Sequence, residues 1–188
     1  MCGILVVINS GYSKEKLDDS LSLMKHRGPD FISSEIIDKN YFGHTRLSIL
    51  DLNERSNQPL HKDNYVISFN GEIYNYKELI KEHHLNTITS SDTEVIVEMY
   101  KKYGDQCLKY FNGMFSFCIY DKNNKNLFIA RDRLGIKPLY YKKTKEGTIF
   151  SSEIAPILNL SDDEFDEFGI RQYKKLRMTI KNNTIYKI

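Results

Sequence analysis

Cysteine is scarce and scattered: Cys2, Cys107 and Cys118 are the only three in 188 residues. An odd count at such wide spacing excludes a disulfide framework, a CxxC redox pair and a zinc knuckle. No apolar run approaches the roughly 18 residues of a membrane span. Met1-Cys2-Gly3 also lacks the basic start of a signal peptide, so no membrane partner and a cytoplasmic address are expected. An excess of one charge is missing too. Lys and Arg number 27 against 25 Asp and Glu, a net charge of +2. That balance leaves no concentrated basic face to neutralise several phosphates, and no nucleic-acid partner is expected. No segment is rich in Pro, Gly or Ser, no repeat of useful length occurs, and there is neither a Gly-Gly pair nor a GxxxxGK phosphate loop. None of the five histidines (His26, His44, His61, His83, His84) stands in HxxxH or HxH spacing, so no metal is expected.

What is present is globular in proportion, and the length suits one domain, taken as residues 1–188. Residues 3–8 (GILVVI) form a short apolar, β-branched run, expected as a buried strand that begins almost at the amino terminus. Further strands are expected over 41–49, 65–70, 113–120, 126–131, 138–142 and 148–151. Ser13 offers a helix N-cap, with Leu17, Leu21 and Met24 on one face and Gly28-Pro29 as the stop. Val95, Ile96, Met99, Tyr100 and Tyr103 predict a helix over 92–103, and Ser91 with Glu94 form an S-x-x-E capping box at its start. The run GMFSFCIY is apolar at nearly every position, so both of its faces must be covered. Strands in succession, with helices inserted in groups, predict a layered α+β fold. After Ser161 an acidic stretch (Asp162, Asp163, Glu164, Asp166, Glu167) gives way to a basic one, read as helix and hairpin at the domain edge.

Cys2 carries the chemistry. Removal of the initiator Met would leave a thiol and a free α-amine on one residue, with ordinary pKa values near 8.5 and 7.7–8.0. The amine can then accept the thiol proton, a known way to activate a nucleophile. A small buried residue is the structural alternative at this position.

Seven stretches accompany Cys2: MCGI at the start, KHRGPD (25–30), GHTRLSIL (43–50), FNGEIYN (69–75), SDTE (91–94), ARDRLGIKPLYY (130–141) and FSSE (150–153). In this order they resemble the class II glutamine amidotransferase domain, and within it the glutamine-hydrolysing asparagine synthetases. The resemblance runs from Cys2 to about Leu158. It implies the N-terminal-nucleophile hydrolase fold, an αββα four-layer sandwich of two mainly antiparallel sheets. It also implies a set of roles. Cys2 would be the nucleophile, and the Asn70 side chain with the Gly71 N–H would form the oxyanion hole. Arg46 would bind the substrate carboxylate, in a pocket shared with Leu47, Ser48, Ile49 and Leu50, while Glu72 and Asp92 would bind the ammonium group. No cofactor is implied for this domain. ATP and magnesium belong to a synthetase partner that amidates aspartate, and that half is absent here. The closing NTIYKI resembles the lead into it.

Each residue has a simpler reading beside this one. Asp92 suits a helix N-terminus with no ligand, Arg46 suits a surface strand, and Asn70-Gly71 is a common hairpin turn. Cys107 and Cys118 read as core thiols, and the RDRLGIKP stretch reads as a charged turn, whereas the resemblance implies a segment near the interface with the acceptor domain. An amidase acting on another amide, or a glutamine-binding regulatory module, are the rival functions.

Overall fold

The computed structural model describes residues 1–161, 163–180 and 183–186; Asp162 and the final Lys187-Ile188 of NTIYKI, both invoked above, lie outside the described residues. Among the described residues there are nine strands and five α-helices. The first sheet is built on β1 (Gly3–Ile8), which pairs antiparallel with β3 (Asn40–Arg46) on one side and β9 (Gly147–Ser151) on the other; β2 (Phe31–Ile37) and β8 (Tyr140–Thr144) form its edges. The second sheet runs β4 (Leu60–Lys62), β5 (Tyr65–Ile73), β6 (Gly113–Asp121), β7 (Asn126–Arg131), again antiparallel throughout.

Period-two alternation builds the layers. In β1, Ile4 and Val6 face Phe42, Val66, Cys118 and Tyr120 in the gap between the sheets. Leu5 and Val7 face the opposite way, onto Leu17 and Leu21 of α1 (Lys14–Ser22), Met24, and Ile157 and Leu160 of α4 (Ile154–Leu160). The second sheet behaves likewise: Phe69, Phe115, Phe117 and Ile119 turn outward onto Leu79 of α2 (Tyr76–His83) and Val95, Ile96 and Met99 of α3 (Asp92–Tyr103). Both faces of each central strand are therefore covered, which is why those runs lack polar alternation. The result is the α+β, four-layer αββα sandwich with antiparallel sheets that the resemblance implied. A last helix, α5 (Glu167–Leu176), follows the acidic stretch. Among the described residues no helix is long and apolar enough to cross a membrane.

Several local expectations change. α1 ends at Ser22 instead of running to Gly28-Pro29, and residues 23–28 descend through tight turns closed by i→i−3 hydrogen bonds. Gly28 sits there because a Cβ would lie 2.3 Å from the Thr45 carbonyl carbon. β3 stops at Arg46, three residues short of Ile49, and 47–50 leaves the sheet. β5 continues through Asn70 and Gly71, which pair with Ser116 and Phe115, so the hairpin-turn reading is overturned. The capping box at α3 is half formed. Ser91 Oγ accepts the Thr93 N–H at 3.2 Å, but Glu94 takes the N–H groups of Ile88 and Thr89 and the Lys62 ammonium. The folded-back 85–91 loop brings those donors closer than the Ser91 N–H, which is held by Thr89 Oγ1. The two short or half-polar edge strands, β2 and β4, carry too little periodicity to be seen in the sequence.

Candidate active site

One parity gathers the site. Cys2, two residues before Ile4, lies at the mouth of the inter-sheet gap, and Arg46, two beyond His44, ends β3 at the same place. Cys2, Arg46, Asn70, Gly71, Glu72 and Asp92 line a single cleft. The Cys2 sulfur is held by residue 47: it accepts the Leu47 N–H at 3.5 Å and its S–H reaches the Leu47 carbonyl at 3.7 Å. Its carbonyl accepts from Arg27 Nε at 2.9 Å, and Arg27 Nη1 bonds Glu153 at 3.0 Å, so the KHRGPD and FSSE stretches together anchor the residue that bears the thiol. Burial pushes the thiol's pKa up, while hydrogen bonding to Leu47, the N-terminal charge and Arg46 pull it down.

The wall opposite is the open edge of β5. β4 ends its pairing at Leu60 with Ile67, so beyond that point β5 has a partner on the β6 side only. In an antiparallel ladder alternate residues direct their N–H and C=O to opposite sides. Phe69 and Ile73 use theirs on the open edge: the Phe69 N–H donates to Gln58 Oε1 at 2.6 Å and the Ile73 N–H to Asp92 Oδ2 at 2.8 Å. Gly71, midway between them, presents its N–H to the same edge, and among the described residues no acceptor outside the ladder meets it. A side chain at 71 is excluded, since a Cβ would lie 2.2 Å from the Met114 carbonyl oxygen; glycine answers to β6 as well as to the cleft. Asn70 is 1% exposed, yet among the described residues neither its Nδ2 nor its Oδ1 has a hydrogen-bond partner. Burying an unpaired amide costs about 1–3 kcal/mol, so an ungratified donor aimed into a cleft marks a place built for a ligand atom.

Charge in the cleft is mixed. Asp92 is buried at the start of α3, and burial, reinforced by the nearby Glu72 charge, pushes its carboxyl up to about 6 against the pull of the Ile73 N–H. The Arg46 guanidinium is buried, with its terminal nitrogens donating to the carbonyls of Leu50, Asp51 and Asn53 and to the Asn57 side chain. Its fork thus shapes the 50–57 loop, and among the described residues only its Nε–H is uncommitted. Leu47, Ile49 and Leu50 line the cleft; Ser48 does not, and its N–H is taken by Asp30 at 2.7 Å.

Sequence reasoning passed over three residues here. Arg27 and Gln58 carried no role. Lys137, read as part of a charged turn or of a segment near the acceptor-domain interface, is 5% exposed and lines the cleft. The turn that carries it is organised by Asp132, whose carboxylate accepts the N–H groups of Phe115, Leu134, Ile136 and Lys137. An Asp five residues before a lysine, with Gly135 at φ +64 between them, is the signal that could have marked it. The histidines disperse: His44 lies inside the sandwich, His83 packs on Tyr103 and Tyr110, His26 meets Glu153 and His61 meets Glu35. Among the described residues no three His, Cys, Asp or Glu side chains gather as a metal site. Cys107 and Cys118 are buried in the core, where desolvation raises both thiols, Cys107 to about 12.

Comparison with known proteins gives one direction. A family model described as the glutamine amidotransferase domain matches residues 1–188. A Methanocaldococcus jannaschii relative, provisionally named a glutamine-hydrolyzing asparagine synthetase 2, is 39% identical over 100% of this chain and 41% of its own length. Glutamine-hydrolyzing asparagine synthetase 1 of Bacillus subtilis is 36% identical over 98% of this chain and 31% of its own, and that of Zea mays 38% over 87% and 28%. The chain spans less than half the length of these relatives. The solved glutamine phosphoribosylpyrophosphate amidotransferase of B. subtilis shares the fold, with a TM-score of 0.70 at 19% identity over 85% of this chain and 43% of that one.

Proposed function

The chain belongs to the glutamine amidotransferase domain family, and from that premise we propose that Cys2 hydrolyses the side-chain amide of glutamine to glutamate and ammonia. The observation that carries this reading is the buried, unpartnered Asn70 amide beside the Gly71 edge N–H, both facing the cleft that holds the Cys2 thiol. After loss of Met1 the α-amine of Cys2 takes the thiol proton, directly or through water. The sulfur attacks the amide carbon, and the oxyanion receives hydrogen bonds from Asn70 Nδ2 and Gly71 N–H. Collapse returns the proton to the departing nitrogen, ammonia leaves, and a γ-glutamyl thioester remains. Water activated by the same amine then cleaves the thioester to glutamate. Asp92 and Glu72 hold the substrate ammonium. Arg46 meets its carboxylate through Nε–H or by releasing the Leu50 carbonyl, its longest contact at 3.4 Å, and the backbone of 47–50 shapes that end of the pocket.

By the names of its relatives, the ammonia would serve ATP-dependent amidation of aspartate, or a related acceptor, by a synthetase domain or subunit. ATP and magnesium would act there, and such a reaction suits the cytoplasm. The test is glutamate release from glutamine by untagged protein whose mature N-terminus has been weighed by mass spectrometry. Equal release by Cys2→Ala overturns the reading.

A further inference from the structure

β5 loses its β4 partner after Ile67, immediately before the residues that face the cleft, yet Phe69 is 3% exposed. Its backbone N–H and C=O have left water and must find partners. Two side chains supply them. Gln58, 6% exposed, accepts the N–H through Oε1 at 2.6 Å, and His44, fully buried, holds the carbonyl through Nε2 at 3.1 Å. A carbonyl only accepts, so Nε2 carries the proton; Nδ1 is buried with no hydrogen-bond partner among the described residues and burial lowers the ring's pKa to about 4, which makes His44 the neutral Nε2–H tautomer.

Gln58 is tied down in turn. Its Nε2 donates to Thr93 Oγ1 at 3.3 Å, beside Asp92 in the first turn of α3, and its backbone carbonyl accepts from Ser33 Oγ in β2. One residue therefore links the edge of the second sheet, the helix that carries Asp92, and the first sheet. His44 makes a further link between sheets, from β3, two residues before Arg46.

We propose that Gln58 and His44 are positioning residues that replace the missing length of β4, clamping the peptide before Asn70 so that the Asn70 amide and Gly71 N–H are aimed before substrate arrives. The inference rests on the glutaminase reading above. Neither residue touches the reacting atoms in this scheme. Their contribution is to the orientation of donors, where a displacement on the order of 1 Å can cost about 10²-fold in rate.

The experiment compares wild type with Gln58→Met and His44→Phe, which remove the two bonds, and with Gln58→Glu and the milder His44→Gln, which can retain them. Expected for the first pair is a fall in kcat of about 10-fold to 100-fold with KM for glutamine little changed, and partial recovery of kcat in the second pair. Unchanged kcat in folded Gln58→Met and His44→Phe, with only a lower Tm, overturns the inference and leaves a structural role alone. Amide hydrogen exchange in the Cys2→Ala background needs no turnover and separates this inference from the glutaminase reading. The Phe69 N–H should be protected while Gly71 exchanges fast, and Gln58→Met should release Phe69. Phe69 exchange that is fast in the parent, or unaffected by Gln58→Met, overturns the positioning role whether or not wild type hydrolyses glutamine.

Discussion

The Asp92 carboxylate accepts the Ile73 N–H at 2.8 Å, so the acid at the head of α3 is also the strap that ends the open edge of β5. Asp92→Asn separates the two duties, because an amide oxygen can still take the Ile73 N–H while the charge is gone. The fold is expected to persist, and glutamine affinity, measured by calorimetry in the Cys2→Ala background, to weaken by about 10-fold or more, the loss expected for one charge-assisted contact. With Asp92 intact and titrating near 6, affinity should also fall as pH drops below that value. In Asp92→Asn this dependence should disappear.

Asn70 sets function against stability. Its amide is buried without partners, so Asn70→Leu, close in shape, should raise stability in urea unfolding by about 1–3 kcal/mol. The same change should slow glutamate release by about 10²–10³. Destabilisation by Asn70→Leu would show that the amide is satisfied in the folded protein.

Stability between pH 6.5 and 4 should reflect two opposed groups. Burial pushes His44 down to about 4, so its stabilising neutrality is complete above its unfolded value of 6.5 and is lost as pH falls. Asp92 is raised from 3.8 to about 6, so it destabilises above 6, and that cost is relieved as pH falls. Each is worth about 3 kcal/mol. Relative to wild type, which cancels every other group, His44→Gln should gain stability on acidification and Asp92→Asn should lose it. Chemical denaturation at pH 6.5 and 4.5 reads both signs.

Lys137 places a cation in the cleft with Cys2 and Glu72, and burial, with Arg27 next, lowers its pKa, while Cys2 and Glu72 favour its charged form. Lys137→Met removes a positive charge that favours the thiolate. The pH profile of Cys2 alkylation by iodoacetamide should therefore move to higher pH. An unmoved profile would leave the N-terminal charge and Arg46 as the cations that matter to the thiol.

Much of this was legible in the sequence because hydrophobic patterning and helix capping are local. The buried strand over 3–8 can be read from GILVVI, and the helix over 92–103 from its apolar spacing, whereas which residues of GILVVI face the inter-sheet gap cannot, because every position is apolar. The ordered motifs hold Cys2, Arg46, Asn70, Gly71, Glu72 and Asp92, which line one cleft. What a single chain could not show was where ladders stop. Asn70-Gly71 has the chemistry of a turn, and only pairing with β6 holds it in a strand, because nonlocal hydrogen bonds and the burial of Phe69 and Ile73 outweigh the local preference. The three-residue β4 ends too soon to cover β5, and this leaves the Gly71 N–H without an acceptor among the described residues and the Phe69 backbone to Gln58 and His44. Sequence by itself determined which runs become strands and helices and which reactive side chains are present. The tertiary structure alone decided which backbone groups are left unpaired, since that depends on the length of a neighbouring strand far away in the chain.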